Sequence, residues 1–230
     1  MAAPAPFHLT PLDRHILSLS DDQFQPHSWA DLRAIIARED LGALIRRPSD
    51  LKRYIAWTSV IKAEYGSITN YVCSQRLGWD QPSGNGNGNG SANGTGPTIP
   101  TPTTTSSYKN PIPFADPEDY RILRNDWPYG MDPGISHLVI WLRTPVAATE
   151  DEGRMTDDSR ELIQKFVDKT FVARLAEAGF EDPAAHVLWF KNWTALQSVR
   201  TVEHVHVLVR DVPEKLLLEW TGEGPPQLGG

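Results

Sequence analysis

Glu203-His204-Val205-His206-Val207-Leu208-Val209-Arg210 is the stretch that decides the fold of the C-terminal half, and it holds two of the seven histidines of the chain. Its β-branched composition favours a strand. Successive side chains of a strand point to opposite faces, so His204 and His206 share one face while Glu203 lies on the other. Two imidazoles on one face indicate either a reactive site or an unusually polar sheet face.

Around this strand, the C-terminal half alternates between strand and helix patterns. Residues 136–143 predict a strand that is buried on both faces, and residues 186–190 predict another short strand. Three segments predict helices by their caps and apolar spacing: residues 117–124, a long helix from Thr156 to about Ala178, and a closing helix from Pro213 to Trp220. Strands in this order with one long helix favour an α+β domain with a largely antiparallel sheet.

The N-terminal part predicts a layer of helices. Ser28 is the expected cap of one helix, and Ser49 is the expected cap of a second that stops at Gly66. A third helix is predicted from Ser67 to Leu77. The second helix begins in a basic cluster, residues 46–53, which is either a solvated helix start or an anion site.

Residues 81–107 are rich in Gly, Asn, Thr and Pro and predict a disordered insert. The insert separates a helical part, residues 10–80, from a sheet-containing part, residues 108–222. The helical part is small by itself, and a long loop costs little once its ends are held. We therefore expect a single domain over residues 1–230.

The composition sets limits on the class of protein. Hydrophobic residues make up 40 % of the chain, which is enough for a substantial core. The formal charge of −7 argues against nucleic acid or an anionic membrane as the partner. One cysteine excludes an intrachain disulfide, and no apolar run is long enough to span a bilayer. We expect a reduced, intracellular protein, in the cytoplasm rather than the nucleus.

Three segments resemble motifs of the histidine-triad nucleotide hydrolase and transferase superfamily. They are Arg124-Asn125-Asp126-Trp127-Pro128-Tyr129 with the strand His137-Leu138-Val139-Ile140, Asn192 with Ser198-Val199, and His204-Val205-His206. The resemblance implies an antiparallel sheet of the histidine-triad fold, here with an added N-terminal helical layer. It also implies a nucleotidyl hydrolase or transferase, in which an asparagine and a serine contact the phosphate and a histidine strand supplies the nucleophile.

The superfamily motif has three alternating histidines, and this strand has two. If they match the first and second, His206 is the nucleophile and Leu208 replaces the third. If they match the second and third, His204 is the nucleophile and Val202 replaces the first. The spacing from Ser198 favours His204, and the absent histidine leaves open whether the site is catalytic.

Over most of its length, the chain resembles the fungal N-acetylglucosamine-induced protein 1-like family, whose domain has no assigned reaction. The matching motifs are Arg47-Pro48-Ser49-Asp50-Leu51, Glu64-Tyr65-Gly66-Ser67, Arg76-Leu77-Gly78-Trp79, Asn125-Asp126-Trp127-Pro128-Tyr129-Gly130, His137-Leu138-Val139-Ile140-Trp141 and Leu188-Trp189-Phe190-Lys191-Asn192-Trp193. These motifs lie on both sides of the insert, which supports one unit interrupted by a loop.

The predicted function is binding of a small phosphorylated molecule, a nucleotide or nucleotide sugar, with hydrolysis or transfer as its reaction and no cofactor. The candidate catalytic residues are His204 and His206. The candidate ligand-binding residues are Asn125, Trp127, His137, Lys191, Asn192, Ser198 and Arg200. Two alternatives stay open: a non-catalytic regulatory or scaffold protein with packed histidines, and a metal site built from His137, His204 and His206.

Overall fold

The computed structural model describes residues 9–79, 108–149, 154–193, 199 and 202–225. The predicted disordered insert therefore lies outside the described residues. Within the described residues the fold is α+β, with helices and a four-stranded antiparallel sheet. This confirms the predicted fold class and the antiparallel sheet.

The sheet contains β1 (Tyr120–Arg124), β2 (Ile135–Leu142), β3 (Val187–Phe190) and β4 (Glu203–Arg210) in the spatial order β1-β2-β4-β3. The predicted histidine strand is thus β4, and it lies inside the sheet. β2 runs antiparallel to β4, with His206 opposite Val139 and His204 opposite Trp141. This register aligns the histidines of both central strands on one face.

The predicted helix over residues 117–124 is wrong. Pro117–Asp119 forms a single 3-10 turn, and the chain then enters β1. The buried carboxylate of Asp119 accepts hydrogen bonds from the backbone N–H groups of Lys109 and Asn110 at 2.8–2.9 Å. Pairing along the whole of β1 with β2 outweighs the local helix pattern, because a paired strand satisfies its backbone groups and buries Leu123.

One face of the sheet packs on the C-terminal helices. Thr156 caps α5 (Asp157–Val167), which continues through a π-helical turn, Asp168–Val172, into α6 (Ala173–Glu177), as predicted for one long helix. The closing helix is α7 (Glu214–Thr221). The shared core contains these fully buried side chains: Leu138, Ile140, Leu142, Ile163, Phe171, Leu175, Val205, Val207 and Val209. Each stabilises the fold by roughly 1.5–3 kcal/mol of hydrophobic transfer free energy.

The other face of the sheet packs on the N-terminal helices. They are α1 (Pro11–Ser18), α2 (Trp29–Ala37), α3 (Pro48–Tyr65) and α4 (Ile68–Tyr71), which continues as a π-helical segment, Val72–Leu77. Trp29 and Leu32 of α2 pack against Phe190 of β3 and Leu208 of β4. The sheet therefore lies between two helical layers, and the histidine face looks toward the N-terminal one.

The ends of these helices follow the sequence signals, with one exception. Ser28 caps α2 through a reciprocal hydrogen-bond pair with Asp31, and α3 ends at Gly66, whose φ is +77°. The predicted cap at Ser49 is wrong, because Pro48 occupies the first turn and Arg47 is the N-cap. The Ser49 hydroxyl instead donates to Asp21 at 2.6 Å, which joins α3 to the preceding loop.

None of the helices in the described part of the chain combines the length and the apolar character that a membrane span requires.

Candidate functional site

Three histidines meet on the inner face of the central strands. His204 and His206 lie on β4 and His137 lies on β2, with exposed fractions of 4 %, 7 % and 5 %. The ring centroids of His204 and His206 are 5.3 Å apart, and those of His137 and His206 are 5.1 Å apart. The alternation of the strand thus places the two β4 imidazoles side by side, and the register adds the third.

His137 and His206 are joined by a hydrogen bond between their rings. Nε2 of His137 lies 2.9 Å from Nδ1 of His206. The amide nitrogen of Asn192 lies 3.3 Å from the other ring nitrogen of His206, and that of Asn125 lies 3.2–3.3 Å from both ring nitrogens of His137. Two predicted asparagines therefore flank the histidine pair from loops on either side of it.

The orientation of Asn125 follows from its second contact. Its carbonyl oxygen accepts the backbone N–H of Trp127 at 2.9 Å, so its amide nitrogen faces His137. A neutral imidazole has one donor and one acceptor, so a proton lies on only one of the two nitrogens that His137 and His206 share. The pair is consistent with two neutral rings and inconsistent with two charged ones.

Burial keeps these rings neutral. Desolvation, with the nearby positive charge of Arg46, lowers the pKa of His137 to about 3. Desolvation also lowers the pKa of His206 well below its usual value, assisted by the neighbouring histidines, Arg46 and Lys191. At neutral pH the cluster therefore carries lone pairs and N–H donors but no charge of its own.

His204 has a defined tautomer. Its Nδ1 lies 2.9 Å from the backbone carbonyl oxygen of Val202, which can only accept, so Nδ1 carries the proton. Desolvation lowers the pKa of His204 to about 4, with a smaller lowering by Lys191 opposed by the Val202 hydrogen bond. Nε2 therefore holds the lone pair at neutral pH, and the ring packs against Trp141 with centroids 4.9 Å apart.

Two aromatic rings cover the histidine pair. Phe190, opposite His206 on β3, stacks on it with an interplanar angle of 14° and a centroid distance of 4.8 Å. Tyr129 stacks on His137 at 26° and 5.3 Å, and its hydroxyl lies 3.5 Å from the amide nitrogen of Asn192. These two rings were absent from the predicted site.

The loop that carries Tyr129 is held by the N-terminal layer. The backbone N–H of Gly130 donates to the carbonyl of Ile45 at 2.8 Å. A Cβ at position 130 would lie 2.4 Å from two ring atoms of Phe24, so any other residue would force that ring to move. Arg46, the next residue after Ile45, lies 5.6 Å from the Tyr129 ring centroid. The N-terminal part therefore contributes directly to the surroundings of the histidines.

Lys191 is held in an ion pair. Its Nζ lies 2.9 Å from Oε2 of Glu203, and only 8 % of the Lys191 side chain is exposed. Lys191 is a predicted ligand-binding residue, and its positive charge is paired with the carboxylate of Glu203. Trp127, another predicted residue, is half-buried and packs its ring against Tyr54 and Trp57 rather than against a histidine in the described contacts.

A cleft opens where β3 ends. One wall is formed by Phe190, Lys191, Asn192 and Trp193, and Arg154 and Arg160 lie on the wall that leads into α5. Phe190 and Asn192 also contact His206, so the cleft adjoins the histidine cluster. Ser198 and Arg200, the remaining predicted ligand residues, lie outside the described residues.

The described residues contain no group of three or more His, Cys, Asp or Glu side chains arranged to hold a metal ion. Two hydrogen-bond contacts explain why the three histidines are not arranged as metal ligands. The facing nitrogens of His137 and His206 hydrogen-bond to each other, and Nδ1 of His204 is directed at a carbonyl. The geometry therefore does not support the alternative of a three-histidine metal site.

Comparison with known proteins shows what the chain is similar to. Residues 28–210 match the family described as "Protein of unknown function (DUF3605)". N-acetylglucosamine-induced protein 1 of Candida albicans is 28 % identical over 201 residues, which cover 86 % of this chain and 74 % of that protein. An uncharacterized protein of Saccharomyces cerevisiae is 25 % identical over 86 % of both chains. The predicted resemblance to N-acetylglucosamine-induced protein 1-like proteins is confirmed.

Among solved structures, the crystal structure of HTC1 has the same fold. It superposes with a TM-score of 0.54 over 82 % of this chain and 86 % of that one, at 24 % sequence identity. The resemblance to the histidine-triad superfamily stays a prediction.

Proposed function

Because the chain belongs to the DUF3605 family, whose description assigns no reaction, we propose a function from the site itself: it binds a small phosphorylated molecule beside the histidine cluster and transfers or hydrolyses its phosphoryl group. His204 is the nucleophile, and His206 is the neighbouring acid or base. A nucleotide or a nucleotide sugar is the expected ligand class. The resemblance to the histidine-triad superfamily, which implies a nucleotidyl hydrolase or transferase, supports the same kind of step, attack of a histidine on phosphorus.

The observation that carries this proposal is the tautomer of His204. Its hydrogen bond to the Val202 carbonyl fixes the proton on Nδ1 and leaves the lone pair on Nε2. A neutral imidazole is the reactive form in nucleophilic attack, and the low pKa of His204 keeps it neutral at physiological pH. His206 stands beside it, with the ring planes nearly perpendicular at 81°.

A hydrogen-bond donor next to the histidine cluster favours the binding of a phosphoryl group there. Asn192 lines the cleft and also contacts His206, so its amide group lies between the cleft and the histidines. Such fixed donors stabilise the negative charge that develops on phosphoryl oxygens. Ser198 and Arg200 remain proposed phosphate ligands on sequence grounds.

The reaction balances with the groups named. Nε2 of His204 attacks phosphorus and forms an N–P bond, while the P–O bond to the leaving group breaks. The leaving oxygen takes a proton from solvent, because His206 is neutral and would become an anion by giving one up. Water then attacks the phosphorus and gives its proton to the lone pair of His206, which passes it to solvent, and the N–P bond breaks to return the neutral imidazole of His204.

A thermal-shift screen against nucleotides, nucleotide sugars and amino-sugar phosphates tests the proposal. Amino-sugar phosphates enter the panel because the Candida albicans relative is named for induction by N-acetylglucosamine. A ligand at about 100 times its Kd stabilises the folded form by about 2.7 kcal/mol, a shift of roughly 5–10 °C for a chain of this size. The matched variants are His204→Asn, His206→Asn and, as a control, His15→Asn on the exposed surface of α1.

The proposal predicts that a phosphorylated ligand protects the native chain and His15→Asn. It also predicts turnover, with an acid-labile phosphohistidine at position 204, that His204→Asn abolishes. Unchanged ligand protection and turnover in both His204→Asn and His206→Asn would refute it.

A second candidate, a non-catalytic regulatory or scaffold protein, is favoured by one observation. All three imidazoles are nearly enclosed and make hydrogen bonds within the fold. This candidate predicts that no phosphorylated ligand raises the melting temperature, and that His204→Asn lowers stability without affecting any turnover.

A further inference from the structure

One carboxylate bridges two arginines in the cleft at the end of β3. Oε2 of Glu39 lies 3.2 Å from Nη1 of Arg154, and its Oε1 lies 2.7 Å from Nη2 of Arg160. All three residues line the cleft: Glu39 follows α2, Arg154 precedes α5, and Arg160 lies in the first turns of α5. The two guanidinium groups therefore converge on one pair of anionic oxygens.

This bridge is open to solvent. The exposed fraction of the side chain is 38 % for Glu39, 52 % for Arg154 and 50 % for Arg160. Exposed ion pairs contribute little to stability, because water and salt compete with them. A dissolved anion with more negative charge than a carboxylate can therefore replace Glu39 between the arginines.

The backbone at Glu39 does not itself favour a glutamate. Its φ is +55°, in the left-handed region where glycine is the usual residue. The N–H of Glu39 donates to the carbonyl of Ile36, and that of Asp40 donates to the carbonyl of Ile35, which is the hydrogen-bond pattern of helices that end in glycine. The contact with the two arginines is the interaction that the Glu39 side chain adds at this position.

The same cleft borders the histidine cluster. Asn192 lines it, and the amide nitrogen of Asn192 lies 3.3 Å from Nε2 of His206. Glu39 carries the only carboxylate among the described residues that line the cleft, and the Lys191 ammonium there is paired with Glu203. When Glu39 moves away, the two arginines are thus left as an anion-binding pair in the wall of this cleft.

We infer that Arg154 and Arg160 form a phosphoryl-binding site in the cleft, which the carboxylate of Glu39 occupies while no ligand is bound. This inference rests on the proposed function, because it takes the anion to be a phosphoryl group of the ligand. It adds the residues that bind this group and the internal group that competes with it.

A terminal phosphoryl group is a stronger ligand for two arginines than a carboxylate is. It carries roughly two negative charges near neutral pH and three acceptor oxygens. A guanidinium binds two phosphoryl oxygens through parallel N–H donors, so two guanidinium groups together satisfy all three oxygens. The ligand therefore displaces Glu39, and the affinity for the ligand is lowered by the competition.

Isothermal titration with inorganic phosphate and with AMP, at neutral pH and constant ionic strength, tests this competition. Glu39→Gln removes the competing charge and should tighten the binding of both probes fivefold or more relative to the native chain. Arg160→Gln removes half of the site and should weaken binding fivefold or more. The double variant Glu39→Gln/Arg160→Gln should bind no more tightly than the native chain, because the gain acts through Arg160.

Two further variants separate the site from general effects of charge and folding. Glu161→Gln removes an exposed carboxylate of α5 that pairs with Lys165, so it measures the effect of losing one negative charge near the cleft and should change binding less than twofold. Glu39→Gly removes the competing carboxylate with a residue that suits the positive φ, so it should reproduce the gain of Glu39→Gln without straining the turn.

The outcomes separate this inference from the proposed function. Binding that is tighter in both Glu39 variants, or detectable only in them, supports the inference. If the native chain binds a probe and the Glu39 variants bind it no more tightly than Glu161→Gln does, the inference is wrong and the proposed function stands. A gain that persists in the double variant also overturns the inference. If binding follows the prediction but neither turnover nor a phosphohistidine appears, the cleft site stands and the proposed reaction fails. If neither probe binds any of these chains, the inference fails, and the thermal-shift screen decides the proposed function by itself.

Discussion

His137 and His206 are 69 positions apart in the chain, yet Nε2 of the first lies 2.9 Å from Nδ1 of the second. The two residues are diagonal neighbours across β2 and β4, because His206 stands directly opposite Val139. Both rings are buried, so a ring nitrogen that loses its partner cannot form a hydrogen bond to water instead.

Replacing one member of this pair should cost more than replacing both. His137→Phe leaves a nitrogen of His206 buried without its partner, which should lower the free energy of unfolding by about 1–3 kcal/mol. The double variant His137→Phe/His206→Phe removes both polar groups and should recover part of that loss. Urea denaturation of the four proteins in a double-mutant cycle measures the coupling, and additive effects would contradict the bond.

The stability of the fold should fall in mild acid. The pKa of His137 is about 3 and that of His204 about 4 in the folded chain, below the usual value of 6.5. The unfolded chain therefore binds protons below about pH 6.5 that the folded chain does not. The free energy of unfolding therefore has its full value above about pH 6.5 and decreases as the pH falls toward the pKa values of the folded chain. The decrease is about 2 kcal/mol per imidazole at about pH 5.

Urea denaturation at about pH 7.5 and about pH 5 checks this dependence. His204→Gln removes one titrating imidazole, so its loss of stability between the two pH values should be smaller than that of the native chain by about 2 kcal/mol. His15→Gln alters an exposed histidine and should match the native chain. An equal pH dependence in all three proteins would show that His204 is not held neutral by burial.

Local patterns predicted much of the secondary structure. The alternation of residues 203–210 and the apolar run around Leu138 were enough to place β4 and β2, and Ser28, Gly66 and Thr156 marked helix ends correctly. β1 was mistaken for a helix, because its stability comes from pairing with β2 rather than from its own sequence.

The sequence predicts less of the candidate site than of the secondary structure. The strand period placed His204 and His206 on one face, but the contact of His206 with His137 depends on the register between β2 and β4, which no local pattern encodes. The sequence does not point to Phe190 and Tyr129 as site residues, because no local pattern predicts that a ring stacks on an imidazole. Arg46 belongs to the basic cluster of residues 46–53, whose pattern favours a solvated helix start over an anion site.

One ion-pair network links the helical part to the sheet part. Its removal tests whether the two parts unfold as a unit. Arg76, in the π-helical segment after α4, pairs with Asp126 at 2.8 Å and also with Glu223 beyond α7. These carboxylates raise the pKa of Arg76 above its usual value against the opposing effect of burial. The network therefore ties the N-terminal layer to the loop after β1 and to the C-terminal end.

Arg76→Met should lower the free energy of unfolding by about 1–3 kcal/mol, since it removes the ion-pair partner of half-buried Glu223 and of exposed Asp126. Glu219→Gln, which breaks the exposed pair with Arg174, is the control and should cost less than about 1 kcal/mol. We expect one cooperative transition by both far-ultraviolet circular dichroism and tryptophan fluorescence. Two separate transitions would contradict the expected single domain.

The central claim is that His204 is a neutral imidazole with its proton on Nδ1 and its lone pair on Nε2. Long-range proton–nitrogen NMR correlation of the histidine rings measures this directly. We predict that His204 shows the Nδ1–H tautomer at about pH 7 and remains neutral until the pH approaches about 4. A proton on Nε2, or titration near the ordinary histidine value, would contradict the claim and remove the proposed nucleophile.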